Sequence, residues 1–156
     1  MPPFSSDAEI RAIGEGLLAR TLPKPQWTHA GHCVATLYLM REHPELALER
    51  HLPGIIARYN EATGTPNTDS GGYHETVTQF YIRALRGFAA DLPAGLPLFE
   101  ICNRLLASAV IDRELPFRYY SRSLLFSVAA RRHWVEPDLA PLDFAPVPDG
   151  AVTTPR

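Results

Sequence analysis

Apolar residues recur at intervals of three and four along most of the chain, and proline-rich or glycine-rich stretches separate these runs. This spacing is typical of helices that bury one face. It predicts helices over residues 7–22, 29–42, 44–62, 73–90, 98–110 and 121–134. No segment shows the sustained period-two alternation of a half-buried strand. We therefore expect an all-α fold, a single-domain bundle of about five to six helices over residues 1–140.

Local signals predict where these helices begin and end. Ser5 or Ser6, followed by an acidic first turn, can cap the first helix, and Thr28 can cap the second. Pro53 lies inside the third predicted helix and is expected to kink it or split it in two, because proline has no backbone N–H to donate. Residues 141–156 are rich in proline and poor in large apolar side chains, which predicts an extended or disordered C-terminal tail.

Composition narrows the classes of partner and compartment. Hydrophobic residues make up 46% of the chain and charged residues 21%, as in ordinary globular proteins. The net charge is −2 and the basic residues are scattered, so we expect no nucleic-acid partner. No apolar run reaches the ~18 residues that cross a membrane, and no signal peptide is recognisable, so we expect a cytoplasmic protein without membrane contact. Cys33 and Cys102 lie on separate predicted helices and are expected to be reduced thiols.

Three histidines on apolar helix faces carry the strongest chemical signal. His29 and His32 lie one turn apart near the start of the second predicted helix, and His74 lies near the start of the fourth. Residues three apart on a helix have Cβ atoms about 5–6 Å apart, so two imidazoles can converge on one ion. Three protein ligands with an open position are typical of a catalytic metal site. We therefore predict that these histidines bind Zn²⁺, Fe²⁺, Mn²⁺ or Cu²⁺, because an imidazole-rich site fits several transition metals.

Other residues are assigned roles around this predicted site. Glu75 adjoins His74 and is the predicted proton acceptor, although the helix dipole alone also explains an acidic residue in a first turn. Trp27 and Tyr73 are expected to shape the substrate pocket. Arg118 and Tyr119 precede the sixth predicted helix, where they either bind a carboxylate or phosphate of a small substrate or only pack locally.

Three functions fit these residues. The first is a metal-dependent enzyme, a hydrolase or an oxidoreductase, acting on a small molecule. The second is a metal-free enzyme that uses a histidine and a glutamate as acid and base. The third is a non-catalytic binding or interaction module with a buried polar histidine cluster. The broad apolar stripes of the fifth predicted helix and part of the first fit either a homodimer face or the core of one chain.

The same residues form motifs that resemble those of a family of small uncharacterised bacterial proteins. The resemblance spans about residues 20–142. Its hallmark elements look like W-x-H-x-x-H and G-Y-H-E-T, which fall on His29, His32, His74 and Glu75 here. It implies that these residues matter in a bacterial protein, and it implies no particular reaction. The three-histidine helical arrangement is also similar in kind to that of DinB-like metal-dependent bundles, although the spacing of the histidines along the chain differs. Further matching segments are Tyr59-Asn60, Asn67-Thr68, Arg118-Tyr119-Tyr120-Ser121 and Trp134-Val-Glu-Pro-Asp.

Overall fold

A computed structural model describes residues 3–144, and this part of the chain forms seven α-helices and no β-strand. The helices are α1 (Asp7–Ala19), α2 (His29–Glu42), α3 (Leu48–Ala62), α4 (Glu75–Ala90), α5 (Leu98–Leu106), α6 (Arg122–Leu125) and α7 (Val128–Arg132). Short 3₁₀ turns lie at Lys24–Gln26, Ala109–Ile111 and Leu115–Arg118. The prediction of an all-α single-domain bundle is confirmed, with more and shorter helices toward the C-terminus than expected.

The first two helices begin where the sequence predicts, but only one of the predicted caps forms. The Thr28 hydroxyl oxygen accepts the Gly31 N–H at 3.1 Å and so caps α2. Ser6 occupies the N-cap position of α1 without a side-chain hydrogen bond. The Glu9 carboxylate instead accepts the Ser5 N–H at 2.9 Å. The first turn of α1 is therefore closed by its acidic residue rather than by a serine.

The predicted split of the third helix at Pro53 is wrong, because α3 runs unbroken with Pro53 inside it. Proline leaves the carbonyl four residues earlier, that of Glu49, without its helical donor. Gln79 of α4 supplies the missing donor, since its Nε2 lies 2.7 Å from the Glu49 carbonyl oxygen. Both residues are buried, so the side chain satisfies a carbonyl that water does not reach.

The predicted sixth helix, in contrast, is divided into α6 and α7. Ser127 stands between them, and its hydroxyl oxygen accepts the Ala130 N–H at 3.1 Å while its O–H donates to the Leu124 carbonyl at 2.7 Å. A serine that bonds to nearby backbone in this way competes with helix continuation. The apolar spacing of residues 121–134 therefore predicts helical structure here but not its interruption at Ser127.

Helices α1 to α5 enclose the core. α1 packs along α2, α4 contacts both α2 and α3, and α5 packs against α1 and α2. The apolar face of α5 is thus used within the chain, which is one of the two uses expected for its broad stripe. The largest fully buried side chains are those of Tyr59, Tyr120, Phe80, Ile10, Leu17, Leu39, Leu48, Leu52, Ile82, Leu85, Leu105 and Gln79.

Packing against this core continues beyond residue 140, where the tail is predicted to start. Residues 141–144 are not helical, yet the Phe144 ring lies 5.3 Å from that of Phe80 and 5.5 Å from that of Tyr119. The Tyr119 hydroxyl donates to the Asp143 carboxylate at 2.5 Å. The rest of the predicted tail, residues 145–156, lies outside the described residues.

Two compositional expectations can be compared with the fold. Within residues 3–144, no helix has both the length and the apolar character needed to cross a membrane. Cys33 and Cys102 are both buried and are not joined in a disulfide.

Candidate functional site

A cavity of about 1040 Å³ opens between α2, α4 and the segment 111–126. All three predicted histidines, His29, His32 and His74, lie on its wall. The Tyr81 hydroxyl of α4 donates to the Asp112 carbonyl at 2.9 Å and ties the covering segment to the bundle. A smaller cavity of about 60 Å³ shares part of this wall and extends it inward. The three histidines that the sequence places on apolar helix faces therefore lie together in one cavity.

The segment before α2 positions the His32 ring. The Trp27 ring stacks on it with centroids 3.5 Å apart and planes inclined by 22°. Gly31 allows this close arrangement, because a Cβ atom there would lie 2.4 Å from the Gln26 carbonyl oxygen. Trp27 therefore supports a site histidine from behind and does not line the cavity wall itself.

The His32 ring is half-buried and has no hydrogen-bond partner among residues 3–144. Burial lowers its pKa to about 3, and the neighbouring His29 contributes in the same direction. The ring is therefore neutral near pH 7, with one nitrogen as donor and the other as acceptor. Both remain available to whatever occupies the cavity.

His29 lies beside a thiol on the same wall. Its Nε2 is 3.8 Å from the Cys33 sulfur, and its ring meets the Tyr81 ring edge-on with centroids 4.8 Å apart. Burial and the positive charge of Arg113 lower the pKa of His29, against an opposing effect of the Ile111 carbonyl. Burial also raises the pKa of the Cys33 thiol to about 12. The cysteine is thus protonated, whereas a nucleophile or metal ligand would need the thiolate.

His74 uses both ring nitrogens to hold the protein together. It is the N-cap of α4, where its Nδ1 accepts the Val77 N–H at 3.2 Å. Its Nε2 therefore carries the proton and donates to the Leu125 carbonyl of α6 at 2.8 Å. Burial is the largest cause that lowers its pKa. In this arrangement His74 has no free lone pair to offer an ion.

Metal binding by the three histidines stays a prediction. In the described part of the chain, no three His, Cys, Asp or Glu side chains lie close enough together to hold an ion. His29 and His32 share one wall, while the nitrogens of His74 are directed to backbone groups.

Glu75, the predicted proton acceptor, lies behind Tyr73 and is not on the cavity wall. Its Oε1 accepts the Tyr73 hydroxyl at 2.5 Å, and its Oε2 is 3.5 Å from the Gln79 amide nitrogen. Burial raises the pKa of Tyr73, and the adjacent Glu75 carboxylate raises it further. Tyr73 does line the cavity, as expected of a residue that shapes the pocket.

Arg118 and Tyr119 do not line the cavity. Tyr119 packs in the core against Phe80, and Arg118 is exposed. Two other arginines, Arg113 and Arg122, are exposed at the cavity mouth instead. Arg113 lies in an irregular stretch with no motif or periodicity, so nothing in the sequence pattern singles it out.

The long loop before α4 borders the site, as its length suggests. Asn67 binds the loop to α3, because its Oδ1 accepts the Asn60 amide at 3.0 Å and its Nδ2 donates to the Ala57 carbonyl at 3.0 Å. The same Oδ1 accepts the Tyr73 N–H at 2.9 Å. Gly72 precedes Tyr73 with φ of 77°, a conformation that favours glycine. These bonds set the position of Tyr73 and of the start of α4.

No protein-family model, curated protein or solved structure matches this chain. The resemblance of residues 20–142 to a bacterial family therefore stays a prediction. The geometry alone offers two neutral imidazoles, a mouth with exposed arginines and an apolar inner end.

Proposed function

We propose that this protein binds a small organic molecule in the central cavity and that His32 is its main polar contact. The observation that carries the proposal is the His32 ring, which lines the cavity without a hydrogen-bond partner among residues 3–144. The ring is half-buried on the cavity wall, so its nitrogens can reach a ligand or water in the cavity. A ring fixed by stacking on Trp27, with both nitrogens unused, is suited to bind an exchangeable molecule.

The dimensions and lining of the cavity support the same proposal. Its volume of about 1040 Å³ is at the upper end of the ~300–1,000 Å³ found for small-molecule sites. The inner extension is walled by Leu52, Ile56 and Leu85 together with polar groups of α2 and α4. Apolar ligand atoms buried there gain roughly 25 cal/mol per Å² removed from water. An amphipathic molecule therefore fits this cavity better than a fully polar one.

If the bound molecule is transformed, His29 and His32 are the groups placed to move a proton. Both rings are neutral near pH 7 and can accept a proton. This corresponds to the metal-free acid–base enzyme considered from the sequence, with a second histidine in place of the glutamate. Glu75 has no direct route to the cavity, so the histidines take the role predicted for it.

Ligand-observed NMR and thermal-shift measurements with a library of small organic acids, alcohols and amines test the proposal. Hits are expected with the wild type and not with His32→Ala. His51→Ala is the matched control, because His51 is exposed on α3 and outside the cavity wall. Circular dichroism checks that both variants are folded before their binding is compared. A wild type that binds no member of the library, or a His32→Ala variant that binds equally well, contradicts the proposal.

Metal-dependent chemistry is a second candidate, favoured by the placement of His29 and His32 on one wall. Elemental analysis of the untagged protein after incubation with Zn²⁺, Fe²⁺, Mn²⁺ and Cu²⁺ tests it, beside a variant with His29, His32 and His74 all changed to alanine. Near-stoichiometric metal in the wild type alone supports this candidate. Equal metal in both proteins, or none in either, rejects it. If the single variant His74→Ala keeps the metal, the site consists of His29 and His32.

A further inference from the structure

Arg113 at the mouth of the cavity carries an unused cationic group. It is exposed, lines the cavity and has neither a hydrogen bond nor a carboxylate partner within residues 3–144. Nearby, Arg122 lies 4.3 Å above the Phe117 ring and 3.4 Å from the Glu114 carboxylate. Both members of that ion pair are about two-thirds exposed, at 66% and 65%, so the pair is weak. The planar guanidinium of Arg113 is therefore the group at the mouth most available to a ligand.

Charged groups of both signs act on the histidines of the cavity wall, and the Asp112 carboxylate raises the pKa of His29. Arg113 acts on His29, and its positive charge lowers the pKa of that ring in addition to the effect of burial. Arg131 donates to the Gly72 and Tyr73 carbonyls at 3.1 Å, and its positive charge lowers the pKa of His74.

The two acidic groups of the mouth contact groups other than Arg113. The Asp112 carboxylate accepts the Glu114 N–H at 2.9 Å, and the Glu114 carboxylate faces Arg122. Neither carboxylate pairs with Arg113 within residues 3–144, so its guanidinium remains open to a ligand.

The opposite end of the cavity suits an apolar group. The inner extension holds about 60 Å³, and the share of one water molecule in the liquid is roughly 30 Å³. It therefore accepts only a few non-hydrogen atoms. Its aliphatic walls come from Leu52, Ile56 and Leu85, and its thiol, Cys33, is protonated. The cavity thus runs from the Arg113 guanidinium at its mouth past the neutral His32 to an apolar end.

We propose that the ligand of this cavity is a small carboxylic acid with an apolar body. The carboxylate binds Arg113 at the mouth, and the apolar body extends past His32 toward Leu52 and Ile56. A planar carboxylate matches the two parallel donors of one guanidinium group. This inference rests on the proposed function, because it names the class of molecule that the cavity binds.

A matched set of three probes with one apolar body tests the inference: 3-phenylpropionate, 3-phenylpropanol and 3-phenylpropylamine. Their Kd values are measured by ligand-observed NMR at one ionic strength. We expect the carboxylate to bind about tenfold more tightly than the alcohol, as one charge-assisted contact allows, and the amine to bind most weakly. Arg113→Gln should remove the preference for the carboxylate and leave the affinity for the alcohol unchanged.

Arg50→Gln is the matched control, because Arg50 is exposed on α3 and does not line the cavity. It should keep the full preference. Equal binding of carboxylate and alcohol to the wild type, a preference that survives in Arg113→Gln, or failure of all three probes overturns this inference. In each of these cases, binding of other molecules from the small-molecule library would still support the proposed function. An absence of any hit would reject the proposed function itself.

Discussion

The Gln79 side chain replaces the backbone donor that Pro53 removes from α3, and the free energy of that replacement can be estimated. Gln79→Met keeps the length of the side chain and removes its amide. The Glu49 carbonyl then remains buried without a partner, which costs about 1–3 kcal/mol. The Gln79 Oε1 atom has no partner within residues 3–144, and its removal offsets part of this cost. We expect a net loss of about 1–2 kcal/mol in the free energy of unfolding, or about 2–8 °C in Tm.

Pro53→Ala supplies the second half of the prediction. Alanine restores a backbone N–H four residues after Glu49, so α3 can satisfy the carbonyl without help from α4. Gln79→Met should then cost about 1 kcal/mol less in the Pro53→Ala background than in the wild type. This difference is the coupling free energy of a double-mutant cycle.

Urea unfolding of the wild type, the two single variants and the double variant, followed by far-UV circular dichroism, measures the coupling. Gln26→Met is the control, because Gln26 is an exposed glutamine in a 3₁₀ turn and its loss should change stability little. Effects that add to within about 0.3–0.5 kcal/mol would refute the reasoning. The continuity of α3 past Pro53 would then need another explanation.

Three further predictions concern the histidines and cysteines. His74→Ala should lower the free energy of unfolding by about 2 kcal/mol, because it removes the cap of α4 and a hydrogen bond to α6. His74→Asn should recover about half of this loss, because asparagine can keep the cap. An alanine variant as stable as the wild type would contradict the prediction. His32 is neutral in the folded protein down to about pH 3, whereas the unfolded ring takes up a proton below about pH 6.5. Stability should therefore fall as pH falls between these values, by up to about 1.4 kcal/mol per pH unit, and His32→Gln should flatten the profile in urea titrations at several pH values; an unchanged slope counts against it. Cys33 and Cys102 are buried with pKa values raised to about 12, so a thiol-specific reagent should modify both only after unfolding, and rapid modification of the native protein would overturn their assignment as core residues.

The helices whose limits depend on neighbouring residues could be predicted from the sequence. α2 begins after the Thr28 cap as expected, because the capping hydrogen bond joins two residues only three positions apart in the sequence. The continuity of α3 could not be predicted, since the donor for Glu49 comes from Gln79, which is distant in sequence. The division of the sixth predicted helix at Ser127 was missed for a different reason. Apolar spacing reports which face is buried and is insensitive to one serine that binds nearby backbone.

The location of the candidate site could be predicted further than its chemistry. Helical spacing placed His29, His32 and His74 on inward faces, and all three line one cavity. Spacing does not reveal what each ring nitrogen contacts, and one partner of His74 is the carbonyl of Leu125. Arg113 was missed because its segment has neither helical periodicity nor a recognisable motif.

The two histidine motifs serve different purposes, although each places a histidine at the start of a helix. In the first, Trp27 and Gly31 hold the His32 ring against the cavity and leave its nitrogens unused. In the second, both nitrogens of His74 are used to cap α4 and to hold α6. A histidine of the first kind makes no side-chain hydrogen bond within residues 3–144, so its removal tests binding more directly.

A histidine of the second kind lines the cavity and also supports its wall, so its removal lowers stability as well as altering the wall. Binding to a His74 variant must therefore be compared with the wild type well below both Tm values. Under that condition, a His74→Asn variant that still binds the probes, beside a His32→Ala variant that does not, would assign recognition to His32 and scaffolding to His74. The reverse result would return His74 to the role of ligand that its sequence motif predicts.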